Sequence, residues 1–175
     1  MNYAAIKDCD IANGPGVRVS LFVSGCRHHC KDCFNPETWD FAYGQPFDDA
    51  AIERLLALLA PDHIRGITYL GGEPFEPENQ PALLELSQRI KARYPQKSIW
   101  SFTGYDFERD ILAQKLGPWG TTRALLSHLD VLVDGPFIAS LKNLNLRFRG
   151  SSNQRLIDVP ASLKTGTVVL WDERQ

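Results

Sequence analysis

Apolar and polar residues follow two different periods along this chain, and each period predicts one type of element. Val17–Val23 alternates every second residue before becoming apolar, which is typical of a β-strand. In Asp48–Leu59 the apolar residues have helical spacing, and Asp48 is suited to cap the helix N-terminus. The other predicted elements are strands over Gly66–Leu70, Lys97–Phe102 and Leu129–Val133, helices over Pro81–Tyr94 and Phe107–Leu116, and weaker strand signals over Leu156–Val159 and Thr167–Trp171.

Strands that alternate with helices predict an α/β fold with a parallel sheet and right-handed crossovers. A closed eight-fold barrel typically needs ~250 residues, and this chain has 175. We therefore expect an incomplete, open (β/α) barrel. We expect one domain over residues 1–175, in which residues 155–175 form a C-terminal extension. An open flank suits a large substrate, such as a loop of another protein, better than a small enclosed one.

The residues with unusual chemistry follow the predicted strands. In such α/β folds, functional residues gather at the carboxyl ends of the strands. Four loops at these ends carry Cys26, Cys30 and Cys33, then Gly71-Gly72-Glu73-Pro74, then Thr103-Gly104-Tyr105, and finally Asp134-Gly135-Pro136-Phe137. We expect one site that all four loops share.

Three cysteines within eight residues suggest a metal cluster. Cys26, Cys30 and Cys33 have the pattern Cys-x-x-x-Cys-x-x-Cys. Three thiolates can bind one four-iron cluster and leave its fourth iron without a protein ligand, since such clusters otherwise take four cysteines. That open position can bind a substrate or a cofactor.

Other uses of these cysteines remain open at this point. Zinc is the main alternative, because His28, His29 or the distant Cys9 can supply a fourth ligand. The chain has no second ligand hairpin, however, and we expect both histidines to be surface residues of the loop. A redox pair at Cys30–Cys33 leaves Cys26 unexplained. Four cysteines in 175 residues are too few for a disulfide-dense protein.

Composition excludes several classes of function. The net charge of −2 argues against a general nucleic-acid binder, which is usually basic. No apolar run approaches the length of a membrane span, and the N-terminus has no signal or lipidation pattern. Free cysteines without a signal peptide indicate a reducing compartment. We expect a cytoplasmic protein with neither a nucleic-acid partner nor a membrane partner.

Two further loops are candidates for ligand binding. Gly71 and Gly72 let the backbone approach a ligand closely, and Glu73 can accept hydrogen bonds from a cationic amino group. Asp134 either forms a turn or binds the ribose hydroxyls of a nucleoside, and the sequence favours neither. The segment Leu141–Gln154 contains three basic residues and no acidic one, so it is a candidate docking surface for an acidic partner.

The cysteine loop and the Gly-Gly-Glu-Pro motif resemble those of the radical S-adenosylmethionine enzymes. In more detail, the chain resembles the activating proteins of anaerobic ribonucleoside-triphosphate reductases. The matching residues are Asp10-Ile11-x-Asn13-Gly14-Pro15-Gly16, Leu21-Phe22-Val23-Ser24-Gly25-Cys26, Gly71–Pro74, Trp100-x-x-Thr103-Gly104-Tyr105, Val131-Leu132-Val133-Asp134-Gly135 and Arg149-Gly150-Ser151-Ser152-Asn153-Gln154.

The resemblance implies a fold, a chemistry and a set of partners. The fold is the open barrel of the radical S-adenosylmethionine type. A reduced 4Fe–4S cluster gives one electron to bound S-adenosylmethionine, which cleaves to methionine and a 5′-deoxyadenosyl radical. That radical takes a hydrogen atom from a glycine of the catalytic subunit of the reductase. An electron donor such as flavodoxin reduces the cluster. The alternatives are an activase of another glycyl-radical enzyme, such as pyruvate formate-lyase, and a non-enzymatic zinc or iron–sulfur module.

The resemblance also implies roles for individual residues. Catalysis needs no residue beyond those that hold the cluster and the cofactor, because the cofactor carries the reaction. Many members of the superfamily have an aromatic residue directly before the third cysteine, where this chain has Asp32, and Phe34 can pack near the adenine instead. The implied metal ligands are Cys26, Cys30 and Cys33, and the implied contacts to S-adenosylmethionine are Asp32, Cys33, Phe34, Gly71, Gly72, Glu73, Thr103 and Asp134.

Overall fold

A computed structural model describes residues 1–172 and contains one mixed β-sheet with helices packed against it. The strands are β1 (Asn2–Asp10), β2 (Val17–Val23), β3 (Gln45–Pro46), β4 (Ile64–Gly71), β5 (Ser98–Phe102), β6 (Val131–Asp134) and β7 (Arg155–Asp158). The α-helices are α1 (Asp49–Leu59), α2 (Gln80–Arg93), α3 (Trp119–His128) and α4 (Val159–Thr165).

The sheet is parallel in the middle, antiparallel at both sides and not closed. Its order is β3-β1-β2-β4-β5-β6-β7. The strands β2, β4, β5 and β6 are parallel neighbours, whereas β1, β3 and β7 pair antiparallel. The prediction of an α/β fold with an open barrel is confirmed. The antiparallel pairing of β1, β3 and β7 was not predicted, because the sequence predicted a parallel sheet only.

Alternate residues of the strands face two different apolar clusters, as a period of two requires. On one face Val19, Leu21 and Ile99 pack with the buried residues of all four helices. On the other face Trp100 packs with Phe148 and Trp171 and with neighbouring strand residues. The chain that follows β6 therefore returns across the second face of the sheet. No helix within residues 1–172 has both the length and the apolarity needed to cross a membrane.

Most predicted elements are present, and several helices differ from the prediction. Asp48 caps α1 as predicted, because its carboxylate accepts a hydrogen bond from Ala51 N at 2.9 Å. The predicted helix Phe107–Leu116 is a shorter π-helical turn over Phe107–Leu112. The strand predicted at Thr167–Trp171 is wrong: Leu170 forms only an isolated bridge to β7. The sequence prediction missed the strands β1 and β3 and the helices α3 and α4.

A buried carboxylate fixes the turn that leads into β2. Asp10 accepts hydrogen bonds from Ser20 Oγ at 2.7 Å, Ala12 N at 2.8 Å and Asn13 Nδ2 at 2.7 Å. Burial alone would raise the pKa of Asp10, but these hydrogen bonds and the charge of Lys7 outweigh it and lower the pKa. The turn Asn13–Gly16, a loop signal in the sequence, thus depends on an ionised side chain.

Candidate functional site

A cavity of about 530 Å³ opens at the carboxyl ends of β2, β4 and β5. This volume is in the range of small-molecule sites. Its lining includes Cys26, Cys30, Cys33, Phe34, Gly71, Gly72, Glu73 and Thr103. Eight of the ten predicted site residues therefore border one cavity, because parallel strands bring their carboxyl ends to the same edge of the sheet.

One thiol in the cavity receives a backbone hydrogen bond, from Asn35 N to Cys33 Sγ at 3.4 Å. The backbone of His28 acts to lower the pKa of Cys26, and that of Phe137 acts to lower the pKa of Cys30, but burial outweighs both. Burial and the nearby charge of Glu73 nevertheless raise the pKa of Cys26 to about 12. A thiol of this kind loses its proton when a metal binds, because the ligand is the thiolate.

Cys26, Cys30 and Cys33 border one cavity. Within residues 1–172, the one group of three or more metal-binding side chains whose ligand atoms all lie within 4.8 Å is Asp106, Glu108 and Asp134. The three thiols do not form such a group in the described part of the chain. The group of Asp106, Glu108 and Asp134 is neutralised in part by Arg155, which pairs with Asp134.

Glu73 is a buried carboxylate with four hydrogen-bond donors around it, and its side chain is 1% exposed. Its Oε1 accepts from Phe75 N and from the hydroxyl of Thr103, both at 2.8 Å. Its Oε2 accepts from Gly104 N at 2.7 Å and pairs with His28 Nε2 at 2.9 Å. An ionised carboxylate has about four acceptor positions. Glu73 therefore ties the cysteine loop to the loops that follow β4 and β5.

His28 is half-buried, so the prediction that it lies on the surface is wrong. Burial alone would lower its pKa, but the hydrogen bond and the negative charge of Glu73 raise the pKa above the ordinary value. Its ring packs edge-on against Tyr105, with centroids 4.4 Å apart. The neighbouring His29 is exposed, as expected, and stacks on Trp39 at 4.6 Å. Sequence reasoning gave Trp39 no role, since no spacing rule links it to the cysteines.

The two glycines before Glu73 are required by close contacts within the protein. Gly71 has φ +102°, a conformation that other residues rarely adopt. A Cβ atom on Gly72 would lie 2.7 Å from the carbonyl oxygen of Gly25 and 3.0 Å from that of Thr38. Gly72 N also donates to Val23 O at 2.8 Å. The glycines hold this loop against the start of the cysteine loop and still border the cavity.

Two of the predicted cofactor contacts do not line the cavity. Asp32 is exposed and has φ +58°, a conformation in which aspartate is enriched and a bulky aromatic residue is uncommon. Asp134 is buried, and its carboxylate binds Arg155 Nε at 3.0 Å and Phe107 N at 2.9 Å. Phe34, by contrast, borders the cavity, is 62% exposed and lies under Lys142 Nζ at 5.2 Å.

The basic segment Leu141–Gln154 forms part of the cavity wall. It folds back on itself, because Lys142 and Ser151 form a β-bridge and Ser152 N donates to Leu141 O at 3.0 Å. Lys142 is exposed at the cavity, and Arg147 is exposed on the same segment. Among the described lining residues the only acidic one is Glu73. The cavity therefore has a positively charged border.

Comparison with known proteins agrees with a cluster at this site. The model of the family described as "4Fe-4S single cluster domain" matches residues 12–157, a range that includes all three cysteines of the loop. The chain is 42% identical to the anaerobic ribonucleoside-triphosphate reductase-activating protein of Enterobacteria phage T4 over 156 residues, which cover 89% of this chain and 93% of the phage protein.

Bacterial proteins of the same name are similar to the same extent. The protein of Escherichia coli (strain K12) is 43% identical over 156 residues, and that of Vibrio cholerae is 41% identical over 157 residues. Each alignment covers 88% of this chain and 96% of the relative. With this identity over nearly the whole chain, the protein belongs to the family of anaerobic ribonucleoside-triphosphate reductase-activating proteins.

Proposed function

We propose that this protein is a radical S-adenosylmethionine enzyme that generates a glycyl radical on an anaerobic ribonucleoside-triphosphate reductase. One observation carries the proposal: the three cysteines and the loop Gly71–Glu73 border one cavity. When bound and reduced, the 4Fe–4S cluster supplies one electron that cleaves S-adenosylmethionine to methionine and a 5′-deoxyadenosyl radical, which takes a hydrogen atom from a glycine of the reductase. Family resemblance implies flavodoxin as the electron donor and the cytoplasm as the location.

The cluster would be held by Cys26, Cys30 and Cys33. Burial raises the pKa of Cys26 and Cys30, so a bound metal would have to displace their protons, and Asn35 N donates to Cys33 Sγ at 3.4 Å. Cys9 lies exposed on β1 and outside the cavity lining, so we give it no ligand role. The match of residues 12–157 to a 4Fe-4S single cluster domain supports a cluster over zinc.

S-adenosylmethionine would be held by the loops around the cluster. We propose that Gly71 and Gly72 border its methionine end and that Glu73 and Thr103 position these loops without binding the cofactor directly, because protein groups already engage the carboxylate and the hydroxyl. Phe34 presents an exposed ring at the cavity, suited to stack on the adenine. We do not propose Asp134 as a ribose contact, because its carboxylate is engaged by protein groups.

The substrate would be a loop of the reductase that covers the open side of the cavity. A reactive radical must be shielded from water, so the partner serves as both lid and substrate. Two features of the border suit such a loop: Leu144 is 88% exposed beside the cavity, and Lys142 brings a positive charge. Opposite charges across an interface speed and orient docking.

An anaerobic electron paramagnetic resonance experiment tests this function. Reconstituted and reduced protein is mixed with S-adenosylmethionine and the reductase, and the expected result is a glycyl radical signal on the reductase. Cys30→Ala should give no signal, and the matched Cys9→Ala should give the full signal. A preparation with a complete cluster that yields no radical overturns the assignment. A radical that forms on pyruvate formate-lyase instead identifies the other activase class.

A second experiment tests docking. The double variant Lys142→Glu/Arg147→Glu should bind the reductase more weakly than the unaltered protein, and the difference should grow at low salt because screening is weaker there. Lys164→Glu on α4 is exposed and does not line the cavity, so it is the control and should bind normally. Equal binding by all three proteins contradicts a role for the basic segment in docking.

A further inference from the structure

The first part of the cysteine loop is hydrogen-bonded, residue after residue, to one other loop of the protein. That other loop consists of residues 72–79 and joins β4 to α2. The backbone on both sides of Cys26, which is itself buried, is therefore fixed by the protein. The bonds between the two loops include Gly72 N to Val23 O at 2.8 Å, Asn79 Nδ2 to Ser24 O at 3.0 Å, Glu73 N to Gly25 O at 2.8 Å, Arg27 N to Glu76 Oε1 at 2.9 Å, and the pair of His28 Nε2 with Glu73 Oε2 at 2.9 Å.

The second part of the cysteine loop is attached less firmly. Within the described chain, the backbone of residues 29–34 makes hydrogen bonds only inside the loop, where Cys33 N donates to Cys30 O at 3.2 Å. Its contacts with other segments are made by side chains, as in the stacking of His29 on Trp39. The thiols of Cys30 and Cys33 are half-buried. The protein therefore fixes the first of the three thiols more firmly than the other two.

Glu76 supplies the hydrogen bond to the residue that directly follows Cys26. It lies outside the cavity lining, and its side chain is 1% exposed. Its Oε1 accepts from Arg27 N at 2.9 Å, and its Oε2 pairs with the Arg27 guanidinium. That guanidinium lies over the ring of Phe41 at 4.5 Å and pairs with Glu78 at the surface. The charge of Arg27 compensates the carboxylate of Glu76, which is necessary because an unpaired buried charge is strongly unfavourable.

We propose that Glu76 is a positioning residue for the cluster. By fixing Arg27, it holds Cys26 in place before the cluster binds. Cys30 and Cys33 take their final positions only when the cluster binds. Ordering a residue costs conformational entropy, and a ligand that is already in place does not incur this cost when the metal binds. In this role Glu76 acts through the loop and does not touch the cluster. The inference rests on the proposed function, since it requires the cluster.

Replacing Glu76 by glutamine keeps the shape of the side chain and removes one of its two bonds. An amide has one acceptor oxygen, and its NH₂ group only donates. In one orientation the NH₂ group faces the guanidinium of Arg27, and in the other it faces Arg27 N. Glu78→Gln is the matched control, because it alters an exposed pair with the same guanidinium and leaves the bond to Arg27 N intact.

The first test measures iron release from the loaded protein to a strong chelator, without oxygen and without denaturant. Glu76→Gln should release iron about tenfold faster than the unaltered protein, a factor that corresponds to the cost of ordering one residue. Glu78→Gln should release it at the unaltered rate. Hydrogen exchange of the same samples separates positioning from general destabilisation, because residues 26–28 should exchange faster in Glu76→Gln while β4 stays unchanged. If Glu76→Gln releases iron no faster than Glu78→Gln, or if β4 also exchanges faster, the proposal is overturned.

The second test needs no variant and therefore decides the matter if Glu76→Gln binds no cluster. Hydrogen exchange is measured by mass spectrometry on the unaltered protein in its metal-free and loaded forms. Residues 23–28 should be protected in both forms, and residues 29–34 should gain protection only on loading. Equal protection of the two segments in the metal-free form, or no gain by residues 29–34 on loading, overturns the proposal. A protein that takes up no iron and sulfide refutes the proposed function instead, so the two failures are distinguishable.

Discussion

Replacing Glu73 by glutamine should destabilise the protein far more than its isosteric shape suggests. The carboxylate accepts from Phe75 N, Thr103 Oγ, Gly104 N and His28 Nε2. A glutamine keeps one acceptor oxygen and puts an NH₂ group, which only donates, in the place of the other. The hydroxyl and the imidazole can reverse their roles. The two backbone N–H groups cannot, and one bonds each oxygen, so one of them is left facing a donor in either orientation of the amide.

The expected magnitude follows from that count. A buried donor left without an acceptor costs about 1–3 kcal/mol, and hydrogen bonds to a charged acceptor are roughly twice as strong as neutral ones. We expect Glu73→Gln to lower the free energy of unfolding by about 3 kcal/mol. Since small domains unfold with only about 5–15 kcal/mol, this is a large share.

Anaerobic urea denaturation of the metal-free protein, followed by circular dichroism, measures this change. The control is Glu78→Gln, because Glu78 pairs with Arg27 at the surface and its side chain is about half exposed. Exposed ion pairs contribute about 0–1 kcal/mol, so the control should lose little. If Glu73→Gln loses no more than Glu78→Gln, the four donors do not depend on the carboxylate and the reasoning is refuted.

Three further predictions concern the cluster, the glycine loop and the turn before β2. After anaerobic reconstitution, Cys26→Ala should lose its iron and Cys9→Ala should keep it; equal loss in metal analysis would contradict the three-ligand assignment. Gly72→Ala places a methyl group against two carbonyl oxygens and should lower the unfolding free energy by about 1–3 kcal/mol, while Gly120→Ala, with nothing within 4 Å, should not destabilise the fold in thermal melts. The lowered pKa of Asp10 gives stability that is complete above its ordinary value of 3.8 and is lost as the pH falls through the folded value. Asp10→Asn should therefore make acid unfolding less steep below about pH 4, and an unchanged acid transition would show that Asp10 does not contribute.

Local patterns predicted those helices and strands whose own residues show a clear period of apolar positions. The period of two in Val17–Val23 and the capped apolar stripe of Asp49–Leu59 are both present in the structure. The strand β1 (Asn2–Asp10) escaped prediction because most of its residues are exposed or half-buried, so no clean alternation marks it. The two-residue strand β3 is too short for any period. Both exist through pairing with a neighbour, which a local pattern does not record.

In the candidate site, too, some features followed from the sequence and others only from the structure. Spacing alone placed Cys26, Cys30 and Cys33 in one loop, and the rule that parallel strands share one edge brought Glu73 to it. The sequence could not give the partner of Asp134, because Arg155 lies 21 residues away and reaches it only through the antiparallel pairing of β6 with β7. Because of that pairing, Asp134 forms an ion pair with Arg155, and its carboxylate is engaged within the protein.

What the sequence determined by itself was therefore the cluster loop, the strands of the sheet centre and the edge at which they present their residues, since spacing and period are local properties. The tertiary structure alone decided which of the residues at this edge remain available to bind a ligand. It engaged all four acceptor positions of Glu73 and brought His28 onto that carboxylate. Such contacts depend on the packing of loops from separate strands, and packing distances carry no periodic signature in a sequence.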